Sequence, residues 1–245
     1  MATYMIKAKS NLKSIYANLF HVTCFAHLLH NTVMMIKNKS ASVNDLISSI
    51  KAAVVKNDSR REEFIEIGYP PIPVVTRWGT WLSAIDYYYE KLPQVRQIFH
   101  NCQDEGIIID AVRQALEKPN LAFDFANIQR CYGQINKLIS SLENPKYSLY
   151  EAYHAIKNLD FKEDPFKIKE YIAERLEKND AEDIIRMSKN YISPRMYNIL
   201  KESNPTSVPV ERAFSKLKYF YNSQKNFKED NIKKYFILYN NRILE

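Results

Sequence analysis

Only four glycines occur in 245 residues, so this chain has few places where the backbone can turn left-handed without strain. Tight two-residue hairpins and phosphate-cradling loops both depend on such positions, which disfavours a hairpin-rich β fold and a nucleotide-binding enzyme together. Long Lys/Glu/Leu/Ile stretches with seventeen tyrosines and twelve phenylalanines point instead to helices around an aromatic interior. With 46% apolar and 26% charged residues the chain has the balance of a soluble globular protein of one or two domains. A mainly α fold is expected.

A net charge of +7 and a pI near 9.1 suit polyanionic partners, although solubility alone accounts for such a charge equally well. Cys24, Cys102 and Cys131 are too few and too scattered for a disulfide framework. Ser14 to Ile36 carries no Asp, Glu, Lys or Arg, yet His21, His27, His30, Asn18 and Asn31 would be costly in lipid. A buried strand followed by a buried helix is the reading, with no membrane partner. The first residues lack the pattern of a signal peptide, so a reducing intracellular compartment is expected.

Along the chain, residues 3 to 16 read as a helix with apolar Tyr4, Met5, Ala8, Leu12 and Ile15 and a basic face of Lys7, Lys9 and Lys13. Residues 19 to 24 have strand-favouring content, and 26 to 36 turn helical. A further helix with Ser42 as N-cap places Val43, Leu46, Ile47, Ile50 and Val54 on one face. Pro70, Pro71 and Pro73 exclude helix from the linker at 68–76. Helical texture resumes from Trp78 to Phe99 with a break expected at Pro93. It recurs at about 107–117, 121–142, 148–158, 165–177 and 180–188. A helix pair at about 208–223 and 229–242 is expected to close the chain.

Cys24-x-x-His27-x-x-His30 has the spacing of half a zinc site but no second half, so no metal is assigned, and Cys24 and His27 are read as structural packing residues. In Thr76-Arg77-Trp78-Gly79-Thr80-Trp81 an indole beside a guanidinium offers base stacking and a phosphate contact; the competing reading packs both tryptophans into the core. The last forty residues interleave lysines with Phe227, Ile232, Tyr235, Phe236 and Tyr239, more apolar surface than a short terminal helix can cover alone. Self-association or tight docking follows.

Three of these segments together resemble hAT-superfamily DNA transposases. Pro209-Val210-Glu211-Arg212-Ala213-Phe214-Ser215 is similar to that family's C-terminal signature, His21 to His30 to its Cys-x-x-His segment, and Thr76-Arg77-Trp78 to the entry of its helical insertion domain. The resemblance implies an incomplete RNase H-like α/β domain (residues 1–40), an α-helical insertion domain (41–204) and C-terminal dimerisation helices (205–245). It implies that Glu211 is the relic of a third metal-binding carboxylate, that Arg77 and Trp78 meet DNA, and that Phe214 joins the C-terminal aromatics in a homodimer. In relatives of this type a second catalytic aspartate stands immediately before an Ala-Ala-x-Tyr-Met sequence, and here Met1-Ala2-Thr3-Tyr4-Met5 opens the chain.

The expectation is therefore a nuclear, transposase-derived protein, inactive as it stands, that dimerises and binds DNA, with transcriptional regulation as a conceivable role. No cofactor or small-molecule substrate is implied; Mg²⁺ or Mn²⁺ enters only if a longer form supplies the missing aspartates. The alternative is the C-terminal fragment of an active transposase that cleaves and transfers strands with bound metal.

Overall fold

The computed structural model describes residues 3–16, 21–55, 57–74, 79–144, 146–183 and 205–206. Among them the fold is mainly α, as the composition requires, and contains no strand. The helices are α1 (Thr3–Ile15), α2 (Phe25–Asn38), α3 (Ala41–Val55), α4 (Asp58–Glu62), α5 (Thr80–Asn101), α6 (Ile107–Leu116), α7 (Leu121–Tyr132), α8 (Gln134–Leu142), α9 (Leu149–Lys157) and α10 (Ile168–Glu177). Residues 1–205 form one compact unit. No helix among the described residues is long and apolar enough to cross a membrane.

Packing follows the apolar periodicity. Val43, Leu46, Ile47, Ile50 and Val54 are all buried, and this face sets α3 against α6 and α7. Ser42 is not the N-cap, because α3 already begins at Ala41 and the Asn44 amide donates to the Ser40 carbonyl; the Ser42 hydroxyl instead reaches Asp124 on α7. Helix α5 packs on α7 through Tyr88 and Phe125, whose rings lie 5.6 Å apart, and Phe64 meets the Phe99 ring at 6.1 Å.

Two expected boundaries move. Pro93 does not break α5: it lies on the exposed side one turn after exposed Tyr89, whose carbonyl loses its helical donor where solvent can reach it. Ile85, Tyr88, Leu92, Val95 and Phe99, buried on the other side, carry the helix on past the proline. Conversely, the helix expected over 121–142 divides at Gly133 into α7 and α8. A side chain there would sit 2.6 Å from the Gln129 carbonyl, a contact only glycine avoids.

At the other end, Tyr132 is fully buried between Phe161 and Phe166, with ring centroids at 5.5 and 5.8 Å. Its hydroxyl donates to Asp164 Oδ1 at 2.9 Å, and the same carboxylate accepts from the Ile168 and Lys169 amides at 2.8 and 2.7 Å. Asp164 thereby satisfies orphan donors that open α10, a cap Lys167 cannot supply from its left-handed backbone. Ser148 and Glu151 form a reciprocal capping box on α9. Tyr132→Phe is expected to cost about 1–2 kcal/mol in urea unfolding, since it strips the half-buried Asp164 carboxylate of one donor while conserving ring packing.

Candidate functional site

The segment expected as a strand at 19–24 is described from His21 onward; residues 21–24 belong to no helix or strand, Cys24 is extended, and no strand lies beside them among the described residues. Their polar backbone groups find partners at the end of α10 instead. The His21 amide donates to Asp180 Oδ2 at 2.9 Å, the Asp180 amide donates back to the His21 carbonyl at 3.2 Å, and Asn179 Nδ2 donates to Thr23 Oγ1 at 2.7 Å. The Phe25 amide, first of α2, donates to the Pro205 carbonyl at 3.1 Å. The His21 amide and carbonyl are thus satisfied by the turn after α10, and the amide that opens α2 by Pro205.

Asp180 also takes the basic face of α1. Lys9 and Lys13 contact its two oxygens at 2.9 and 2.8 Å, and its side chain is 11% exposed. Burial alone would raise its pKa, but hydrogen bonds from Lys13, the His21 amide and Lys9, with the Lys9 charge, hold it at about 2. Of the expected apolar face of α1, Leu12 and Ile15 are 44% and 70% exposed, so charge rather than apolar burial ties that part of the helix down. Burial and then the Lys9 charge lower the pKa of His21, against the pull of Asp180, and its buried Nδ1 has no hydrogen-bond partner.

Cys24 and His27 fall on either side of the start of α2. Cys24 is its half-buried N-cap residue, His27 points outward, and His30 is half-buried with its pKa lowered by burial and then by His27. The inward face of this helix is Phe25, Ala26, Leu28, Leu29, Thr32, Val33 and Ile36. Among the described residues no three His, Cys, Asp or Glu converge where a metal could be held.

The loop that carries Arg77 and Trp78 is framed on both sides, although those two residues lie outside the described ones. Residues 68–74 form no helix and are tied to α5 by the Tyr87 hydroxyl, which donates to the Gly68 carbonyl at 2.7 Å, and to α3 by Lys51 Nζ, which donates to the Pro73 carbonyl at 3.4 Å. The Thr80 hydroxyl accepts from the Val74 amide at 3.0 Å and lies 3.3 Å from its carbonyl, closing the chain on itself across residues 75–79. Gly79 ends that loop at φ +76°, and a Cβ there would stand 2.7 Å from Asn136 Oδ1 on α8. Trp81 is 5% exposed and its Nε1 donates to Asn44 Oδ1 at 2.9 Å, so this second indole belongs to the core.

Glu211, Phe214, Phe227, Ile232, Tyr235, Phe236 and Tyr239 also lie outside the described residues. Sequence reasoning missed Asp180, Thr80 and Asn136, because each acts on a partner that only the fold brings near. Comparison of the chain with family models, with curated proteins and with solved structures yields no match.

Two outcomes follow from this geometry. The folded-state pKa of Asp180 lies below its ordinary value of 3.8, so its stabilisation is complete above that value and disappears as pH falls through about 2. Asp180→Asn should lower stability by about 2 kcal/mol at neutral pH and by progressively less between pH 4 and 2, measured by urea melts at each pH. Gly79→Ala combines a strained φ with the Asn136 contact and should cost about 1–3 kcal/mol; an unchanged melting temperature would contradict the close approach.

Proposed function

We propose that this protein is a transposase-derived, DNA-binding homodimer of RNase H-like descent that acts in the nucleus by binding rather than by cutting strands, in a regulatory role. The observation that carries the reading is the Thr80-closed loop. It brackets Arg77 and Trp78 between a proline-stiffened strap and the first turn of α5. The neighbouring indole, Trp81, is committed to the core, which leaves Trp78 to be the stacking surface and Arg77 to meet phosphate.

The placement of the described carboxylates supports binding over cleavage. Phosphoryl transfer through two metals needs several carboxylates converging on one point. Here Asp180 is held by Lys9 and Lys13, Asp164 caps α10, Asp104 pairs with Arg60, Glu163 with Arg130 and Glu182 with Lys157. Each of these serves a separate joint of the scaffold. Dimerisation is assigned to the aromatic C-terminal run with Phe214, Phe227, Ile232, Tyr235, Phe236 and Tyr239, on the strength of its apolar content beside a lysine-rich face.

Fluorescence anisotropy with duplex DNA across a salt series tests the reading. Arg77→Ala should reduce the salt slope by about one, and Trp78→Ala should weaken binding by about 1–3 kcal/mol, both without loss of melting temperature. Trp81→Ala, by contrast, should cost about 3–5 kcal/mol of stability. Absence of DNA binding at low salt overturns the proposal. Manganese-dependent strand nicking that is lost in Glu211→Gln replaces it with an enzyme.

A further inference from the structure

Between α9 and α10 lies an open cavity of about 230 Å³ with an apolar floor of Ile156, Leu159, Phe161, Ile172 and Leu176. One end is closed by a polar triangle in which the Tyr153 hydroxyl donates to Glu182 at 2.6 Å and Lys157 reaches both at 3.3 Å. The α10 side of its rim is Lys169, Ala173 and Glu177, all exposed. These three are spaced by four residues and form one ridge along the helix.

The charges on α10 are otherwise spoken for. Lys167 pairs with Glu170, Glu174 with Lys178, and Arg175 lies over the Tyr171 ring at 5.1 Å. Among the described residues the Lys169 and Glu177 side chains make no hydrogen bond, ion pair or ring contact, and both stand on the cavity rim. Ala173 lies midway between them. Two copies of this ridge laid antiparallel about a two-fold axis through Ala173 place Lys169 of each chain opposite Glu177 of the other. The small residue at the centre lets the helices approach. An isologous contact needs a patch complementary to itself, and a ridge of one cation, one methyl and one anion at equal spacing meets that condition.

We propose that the α10 ridge is a self-association surface whose occupant is the α10 ridge of a second copy of this chain. The pairing covers the mouth of the α9–α10 cavity and is separate from the C-terminal contacts proposed above. A single helix pair is a small interface, so it is a reversible contact that strengthens with concentration.

Cysteine crosslinking of the full chain tests it. Ala173→Cys, in a Cys24→Ser background that leaves only the buried Cys102 and Cys131, should form a disulfide to its own counterpart under mild oxidation. Lys169→Glu or Glu177→Lys added to it sets like charges opposite each other twice and should reduce crosslinking roughly tenfold. The double exchange Lys169→Glu/Glu177→Lys should restore it. An equimolar mixture of the two single variants should restore it too, as a heterodimer distinguishable by mass. Circular dichroism reports whether each variant is folded, and the double exchange keeps the test decisive where a single variant is not. No crosslink with native charges at any concentration, or equal crosslinking across all charge combinations, overturns the proposal. Neither outcome bears on DNA binding by Arg77 and Trp78.

Discussion

Residues 21–24 have no strand beside them among the described residues, so the polar backbone of His21 must find other partners, and Asp180 supplies them. Its carboxylate and amide clamp His21, and the same carboxylate gathers Lys9 and Lys13. Two neighbouring segments, α1 and residues 21–24, therefore meet the distant turn after α10 at one group. With α10 fixed there, α2 packs against it through the apolar face that begins at Phe25. A paired charge at so low an exposure is costly to leave half-made, so the junction behaves as a unit.

That joint also explains what was readable in the chain and what was not. The faces of α2 and α3 are local patterns, and the sequence reveals them because burial follows the helical repeat. The helix-free linker at 68–74 is equally legible, since three prolines decide it without help from the rest of the fold. Residues 21–24 have the composition of a strand, but composition cannot say whether a neighbour exists. The neighbour proved to be a helix terminus some 159 positions away. Pro93 misleads for a related reason: its local penalty is outweighed by buried side chains on the opposite face of α5. Gly133 errs the other way: the apolar repeat runs on past it, yet α7 ends and α8 begins there.

The candidate site divides along the same line. That Trp81 is buried follows from the area an indole hides, and the pairing with Asn44 supplies what its N–H needs. The loop closure by Thr80 spans only six residues, yet nothing in the order Val74 to Thr80 announces it. Gly79 was visible as one of few glycines; its purpose became clear only with Asn136 beside it. The strap, the hydroxyl and the glycine together present the ends of the Arg77-Trp78 loop from a preorganised frame, which lowers the ordering cost of any ligand bound there.

The central claim is that this loop meets nucleic acid, and photocrosslinking addresses it without relying on a variant. Duplex DNA bearing bromodeoxyuridine would be irradiated with the full chain, and the adducts located by peptide mass spectrometry. The account predicts a nucleotide adduct on the peptide that holds Trp78. Adducts confined to other peptides, or none at low salt, would contradict it.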